Sequence, residues 1–253
     1  MKVITEIFSS GDHRWIAIAR DQKKANYLID TVEYVILKGE KAGILDPGGQ
    51  EVFPAVFSAV ANIAHSKNIE FLFASHQDPD VCSSLPLWLA ANPTLKCYIS
   101  WLWAKFIPHF GGNDETFIGI PDEGMEIKLA NQLTLRFIPA HYLHSSGNFH
   151  VYDQSARILW TGDIGAALLP EGAAAPLIVQ NFDKHVKNMQ GFHERWMGSN
   201  EAKNDWIDRV SSLQIETLCP QHGAIMKGKD IERFFQWLRD LKVGSGISAS
   251  RAK

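Results

Sequence analysis

An apolar run, IEFLFA at residues 69–74, is followed directly by SHQDPDV, in which His76, Asp78 and Asp80 stand at alternate positions. The run is apolar on both faces, which is typical of a central strand in a covered sheet. A solvated acidic turn would explain the polar residues that follow, because Asp and Pro are common in turns. A set of metal ligands is the other explanation, although any one such residue is more often structural than a ligand. The choice between the two depends on the rest of the chain.

Three further apolar strands end in a comparable way. LTLRFIPA precedes His141 and His144, RILWT precedes Asp163, and ETLC precedes His222. In open α/β sheets, binding sites lie beyond the carboxyl ends of the strands, so four such loops could converge on one pocket. Each residue taken alone also fits a turn, and His141 and His144 compete for one role. Three His and three Asp together suit a site for two metal ions, with one aspartate bridging them.

The chain contains two β-rich series, each followed by helices. The first includes WIAIA, NYLI, EYVILKG and KAGILDPGG; the second extends from FIGI to RILWT and precedes predicted helices over 180–196 and 200–213 and from Asp230. This order predicts an α/β (α+β) fold, an αββα sandwich of two sheets with helices on the outer faces. We predict a single domain over residues 1–242. The tail 243–253 has few apolar residues and is predicted to be disordered.

Bulk composition excludes several classes of protein. The net charge of −3 over 253 residues predicts no binding to nucleic acid or to an anionic membrane. The start of the chain lacks the pattern of a signal peptide, and no apolar run is long enough for a membrane span. The cysteines Cys82, Cys97 and Cys219 are few and never in C-x-x-C spacing, so a reduced, cytoplasmic setting is expected.

The combined pattern resembles the metallo-β-lactamase superfamily, whose loops read His-x-His-x-Asp-His and then His, Asp and His. It is most similar to the flavodiiron-type branch, and within it to stand-alone oxygen-binding diiron proteins that lack the flavodoxin domain. In that branch a carboxylate replaces the second histidine, and Asp78 stands where flavodiiron proteins usually have Glu. Val81 stands where the family has its last histidine of this loop. The segment HSSGN resembles the superfamily's His-Thr-Pro-Gly-Ser turn, which favours His144 over His141 as the ligand.

The resemblance implies six metal ligands, drawn from the four strand-end loops. They are His76, Asp78, Asp80, His144, Asp163 and His222. The first two and His144 would hold one iron, Asp80 and His222 would hold the other, and Asp163 would bridge both. Because valine cannot bind a metal, Val81 would leave the second iron with an open position. His141, Val81 and Trp101 are candidates for residues that surround the metals without binding them.

This ligand set favours redox or gas-binding chemistry over hydrolysis. Two divalent ions bring +4 against −3 from three carboxylates, which leaves +1, and hard oxygen ligands favour iron or manganese. The hydrolytic members are rich in imidazole, which suits zinc and the generation of hydroxide. The resemblance therefore implies two iron ions of the Fe-O-Fe type, with manganese or zinc as substitutes. No bound FMN is expected, because no flavin-phosphate loop is visible and the chain ends before any flavodoxin-like domain.

Three functions remain in contention. The first hypothesis is a non-haem diiron protein that binds dioxygen or nitric oxide, acting as an oxygen sensor with a signalling protein as its partner. The second is an O₂ or NO reductase, a diiron oxidoreductase served by a separate flavin or rubredoxin partner. The third is a metal-dependent hydrolase. Whether the protein forms a homodimer stays open.

Overall fold

The computed structural model of the chain describes four stretches, which are residues 3–19, 29–110, 114–170 and 176–251. They form two compact units, which we call the N-terminal unit (residues 3–19 and 31–137) and the C-terminal unit (residues 29–30 and 138–251). The predicted extent of a single domain over 1–242 stays a prediction. The predicted strand NYLI begins outside the described residues.

The described residues form runs of consecutive strands, with helices between and after these runs. The strands are β1 (Val3–Ser10), β2 (His13–Ala19), β3 (Glu33–Lys38), β4 (Lys41–Leu45), β5 (Ile69–Phe73), β6 (Lys96–Ser100), β7 (Phe117–Ile120), β8 (Met125–Leu129), β9 (Leu133–Pro139), β10 (Phe149–Asp153), β11 (Ile158–Trp160), β12 (Thr217–Cys219) and β13 (Met226–Lys227). The α-helices are α1 (Phe53–Ala61), α2 (Pro79–Cys82), α3 (Leu85–Ala91), α4 (Phe182–Trp196), α5 (Asn200–Ser211), α6 (Lys229–Asp240) and α7 (Ser245–Arg251).

The first sheet lies in the N-terminal unit. It has seven strands, β1 to β7, which follow one another in chain order. Neighbours from β1 to β4 are antiparallel, and neighbours from β4 to β7 are parallel. Parallel neighbours require a crossover, which α1 supplies between β4 and β5. The carboxyl ends of β4 and β5 therefore lie at the same edge of this sheet.

The core of the N-terminal unit lies between this sheet and its crossover helices. The helix α1 buries Val56 and Val60, and the fully buried Trp88 of α3 lies with its ring centroid 5.4 Å from the rings of both Phe53 and Phe57. The strand β5 is buried at all positions except Glu70, which is half-buried, as its apolar sequence predicts. This packing gives the loop after β5 a rigid base.

The second sheet has six strands in the order β13-β12-β11-β10-β9-β8. In the C-terminal unit, β10 and β11 are antiparallel, whereas β11 and β12 are parallel, with Trp160 opposite Cys219. Helices α4 and α5 start close to the predicted positions, and the side chains of Asn181 and Ser199 cap their first turns by accepting backbone N–H groups. The parallel pairing places the carboxyl ends of β11 and β12 side by side.

The C-terminal tail differs from the prediction. A helix, α7, occupies Ser245–Arg251 within the segment 243–253 that the sequence predicts to be disordered. The chain is tied down just before it, because the Asn200 side chain accepts the Val243 N–H at 3.0 Å and Glu194 O accepts the Gly244 N–H at 3.0 Å. Low apolar content does not reveal such polar tethers. Among the described helices, none combines the length and the apolar character that a membrane crossing requires.

Lys203 of α5 is buried and holds the end of α6. Its Nζ donates to Leu238 O at 2.7 Å and to Arg239 O at 2.9 Å, so the ammonium satisfies carbonyls that the last turn of α6 leaves without intrahelical partners. Burial lowers the pKa of this lysine.

We expect Lys203→Met to destabilise the protein by about 1–3 kcal/mol, because the buried carbonyls lose charged donors while the apolar stem is kept. Denaturant unfolding would measure the loss of free energy. Lys184→Met, on the exposed surface of α4, is the matched control and should change the free energy of unfolding by about 0.5 kcal/mol or less. Equal effects of the two substitutions would contradict this role of Lys203.

Candidate metal centre

In the N-terminal unit, a chain of hydrogen bonds fixes the ring of His76. Asp46 follows β4, and its two carboxylate oxygens accept the backbone N–H of Ser75 at 2.8 Å and the Ser75 hydroxyl at 2.7 Å. The same hydroxyl lies 2.8 Å from His76 Nδ1. Since the hydroxyl proton goes to Asp46, His76 donates its Nδ1–H to Ser75, and Nε2 carries the lone pair that a metal would bind. All three residues are buried.

The sequence does not indicate that Asp46 and Ser75 orient the His76 ring. Asp46 follows an apolar strand as the other site residues do, but the Asp-Pro-Gly-Gly sequence that it begins is typical of a turn. Its φ of +42° shows that the turn is real as well. The parallel neighbours β4 and β5 explain the contact, since Leu45 pairs with Phe73 and the two loops leave the sheet together.

The two aspartates of the first loop lie at the start of a short helix. Asp78 precedes α2, Pro79 occupies its first position and Asp80 lies in its first turn. Asp78 Oδ2 lies 3.5 Å from His76 Nε2, and both aspartates are half-buried. His76 and Asp78 are therefore a pair of potential metal ligands within this unit.

In the C-terminal unit, Asp163 faces two histidines with separate oxygens. Its Oδ2 lies 2.6 Å from His144 Nε2, and its Oδ1 lies 3.3 Å from His222 Nε2. Asp163 and His222 are nearly fully buried. A carboxylate with one imidazole beside each oxygen has the arrangement that a bridging ligand needs, because each oxygen can then serve a different metal ion. His144 and Asp163 form the second pair of potential ligands.

The loops of Asp163 and His222 are bonded to each other. Gly162 O accepts the Gln221 N–H at 2.7 Å, and His222 O accepts the Ala167 N–H at 3.3 Å. Gly223 has a φ of +100°, and a Cβ there would lie 2.9 Å from Ala167 Cβ, so glycine permits this close approach. The distance between Asp163 and His222 is thus set by backbone contacts.

Asp30, which belongs to the C-terminal unit, orients the ring of His222. His222 Nδ1 lies 2.7 Å from Asp30 O, and a carbonyl only accepts, so Nδ1 carries the proton and Nε2 the lone pair. This is the same tautomer that Ser75 imposes on His76. Nothing in the sequence near Asp30 indicates this role, because the contact joins residues far apart in the chain.

His141 and His144 have different neighbours in the structure. His144 reaches Asp163, whereas His141 Nδ1 lies 2.9 Å from Ser146 O and its ring meets Phe149 edge-on. His141 lines a cavity of about 340 Å³ beside α5. The loop that carries both is braced by Asn148, whose side chain accepts the Ser145 N–H at 3.2 Å. His144 as the ligand in place of His141 stays a prediction of the HSSGN segment.

Two residues expected around the metals lie in the N-terminal unit, and their place beside a metal stays a prediction. Val81 is fully buried among the apolar side chains of the core. Trp101 is 51% exposed, and its indole N–H donates to Asp122 at 2.7 Å. Phe106 of the same aromatic segment is 61% exposed, whereas Trp103 packs against the core. An aromatic run does not show which of its members face solvent.

His193 of α4 is a buried histidine near Asp163, and the sequence favours a place on the surface or around the site for it over a role as metal ligand. Its Nε2 accepts the Gly165 N–H at 3.0 Å, and its Nδ1 lies 2.8 Å from Met189 O. Burial lowers the pKa of His193 to about 4, so the ring is neutral near pH 7.

Comparison with known proteins identifies the family. The family described as ODP family beta lactamase matches residues 29–223. The chain belongs to this family. The apo state of the chemotaxis sensor ODP from T. denticola is similar at 36% identity and a TM-score of 0.87, with 96% of each chain covered. A structure described as a peroxy diiron species of chemotaxis sensor ODP is similar at 36% identity and a TM-score of 0.83, again with 96% of each chain covered.

Other similar proteins are longer than this chain. A flavo di-iron protein from Thermotoga maritima shares the fold, with a TM-score of 0.79 and 20% identity over 94% of this chain and 61% of that one. A diflavin flavoprotein from Nostoc is 24% identical over 206 residues, or 78% of this chain. The chain spans 34% of that relative and 53% of one from Methanocaldococcus jannaschii. These likenesses confirm the predicted fold class, an α/β fold of the metallo-β-lactamase type.

Proposed function

We propose that this protein is a non-haem diiron protein that binds dioxygen as an oxygen sensor. The observation that carries the proposal is Asp163, whose two oxygens each face one imidazole in the manner of a bridging ligand. The likeness to the chemotaxis sensor ODP over 96% of both chains supports it, since that protein's structures are described as a sensor and as a diiron species.

The donor set fits two iron ions. We propose that they are held by the predicted ligands, which are His76, Asp78, Asp80, His144, Asp163 and His222. Three carboxylates supply hard oxygen donors, and three imidazoles complete a mixed set that iron accepts readily. Two of the histidines have Nδ1 beside an oxygen partner, Ser75 Oγ or Asp30 O, which directs Nε2 to a metal. Manganese and zinc are the substitutes we propose for iron.

The side chains of this protein would orient a metal ligand and leave a coordination position for the gas. A pair of bound irons supplies the electrons and the coordination positions that dioxygen binding requires. Asp46, through Ser75, holds the His76 ring in one orientation. Val81 offers no donor atom where the superfamily has a histidine, so it leaves one coordination position for a small gas. Nitric oxide could use the same position, and we propose it as a second ligand.

A reductase is the alternative, and the relatives favour it over a hydrolase. The match to a diflavin flavoprotein from Nostoc and the fold shared with a flavo di-iron protein indicate kinship with flavin-associated proteins. In that case a separate redox partner would deliver electrons to the irons. Hydrolysis fits less well, because Asp78 and Val81 stand where the hydrolytic pattern has histidines and extra carboxylate charge weakens a Lewis acid.

The setting and partners that we propose follow from these functions. A sensor needs a signalling protein as its partner, and a reductase needs an electron donor. The cysteines Cys82, Cys97 and Cys219 are buried and few, which fits the cytoplasmic location that we propose.

Oxygen consumption would separate the sensor from the reductase. We expect the iron-loaded protein, supplied with NADH and a flavin reductase, to consume oxygen no faster than a zinc-loaded sample, because a sensor retains its ligand instead of turning it over. An oxygen electrode makes the measurement. Sustained consumption at an ordinary enzymatic rate, roughly 1 s⁻¹ or more per chain, would favour the reductase.

A further inference from the structure

The helix α4 contacts the Asp163 loop and the neighbouring His144 at three places. His193 Nε2 accepts the Gly165 N–H at 3.0 Å, and Asn188 O accepts the Leu168 N–H at 3.0 Å. The ring of Phe192 meets the ring of His144 edge-on, with centroids 6.1 Å apart. One helix thus fixes both the loop that carries the candidate bridging carboxylate and one of the histidines beside it.

His193 is built to accept a backbone hydrogen bond. Its Nδ1 lies 2.8 Å from Met189 O, and since a carbonyl can only accept, Nδ1 carries the proton. Nε2 must then hold the lone pair, which is the acceptor that the Gly165 N–H uses. The ring is fully buried, so no water replaces this partner without disturbing the core.

The bond matters because Gly165 ends the tight turn that carries Asp163. Asp163 O accepts the Ala166 N–H at 3.0 Å, which closes the turn around Gly165. Gly165 has a φ of +99°, and a Cβ there would lie 3.1 Å from Met226 Cε and 3.2 Å from Pro220 Cβ. Glycine is needed here but is also free to adopt many conformations, so a partner outside the loop has to select one.

We propose that His193 is a positioning residue for Asp163: by accepting the Gly165 N–H it holds the turn in the conformation in which the carboxylate reaches both His144 and His222. This inference rests on the metal-binding role proposed for Asp163. Sequence spacing does not indicate this function of α4, because His193 lies thirty residues after Asp163 in the chain.

The test uses three variants and cobalt(II) as the probe. His193→Phe removes the acceptor, and His193→Gln keeps an acceptor oxygen at a similar reach. His185→Phe is the matched control, because His185 is a buried histidine of the same helix whose Nε2 has no hydrogen-bond partner among the described residues. Titration of the metal-free protein with cobalt(II), followed by the visible absorption of the bound ion, gives the affinity and reports the coordination geometry.

We expect His193→Phe to weaken cobalt binding by about tenfold or more and to change the visible spectrum, as loss of a supporting hydrogen bond near metal ligands commonly does. His193→Gln should recover most of the affinity, and His185→Phe should bind as the unchanged protein does. Unaltered binding by His193→Phe, or an equal loss in His185→Phe, would overturn the proposal.

Hydrogen exchange of the Gly165 amide in the metal-free protein tests the same bond without any metal. Exchange should be about tenfold faster in His193→Phe than in His185→Phe, because only the first variant leaves this N–H without its acceptor. Equal exchange rates would overturn the proposal. If the unchanged protein bound no cobalt, the proposed function would fail, while the exchange rates would still decide whether His193 holds the turn.

Discussion

Asp163→Asn is expected to lose most of the iron that the unchanged protein holds, a fall of about tenfold or more in bound metal. The unchanged protein should hold about two irons per chain, as the proposed set of six ligands implies. The amide loses one anionic oxygen, and an NH₂ group cannot bind a metal. Because Asp163 faces His144 with one oxygen and His222 with the other, one iron loses its ligand to the NH₂ group and the other keeps only a neutral carbonyl oxygen. Metal analysis after anaerobic purification makes the measurement.

His141→Ala is the control for this prediction. His141 is a neighbouring histidine of the same site region, but its ring is directed to Ser146 O and Phe149. The His141→Ala variant should keep its iron. Full retention of iron in Asp163→Asn, or a larger loss in His141→Ala, would contradict the ligand assignment.

Val81→His is expected to slow the reaction of the iron-loaded protein with dioxygen by about tenfold or more. The new imidazole would occupy the coordination position that valine leaves open, so the gas would have to displace a ligand before binding. Val81 is fully buried in the apolar core of the N-terminal unit, so the larger polar ring also costs stability, by about 1–3 kcal/mol. Stopped-flow absorbance gives the rate.

Val81→Ile separates the two effects. It adds bulk to the same buried position but no donor atom, so it should lower stability without slowing the reaction. A rate in Val81→His equal to that of Val81→Ile would place the gas elsewhere.

Much of the fold follows from the sequence because its strands are strongly apolar and its site residues stand directly after them. IEFLF forms β5 as expected, and parallel pairing of β11 with β12 brings the Asp163 and His222 loops together. The carboxyl ends of parallel strands share an edge, so strand order and loop composition already predict which residues meet. The choice of His144 over His141 as the ligand of the same loop stays a prediction.

The supports of the site could not be predicted in the same way. Asp46, Asp30 and His193 act through contacts with residues distant in the chain, and each has an ordinary local explanation as a turn, loop or helix residue. The exposure of Trp101, at 51%, is likewise not visible in its aromatic segment, WLWAKF. Local pattern reports strand ends well, but the partner of a buried polar group depends on tertiary packing.

Rapid mixing of the reduced, iron-loaded protein with dioxygen tests the central claim most directly. We expect the visible absorption to change on mixing, and the product should persist when no reductant is added. The same change should be lost in Asp163→Asn. An iron-loaded protein whose spectrum does not change on mixing with oxygen would contradict the claim that this chain binds dioxygen.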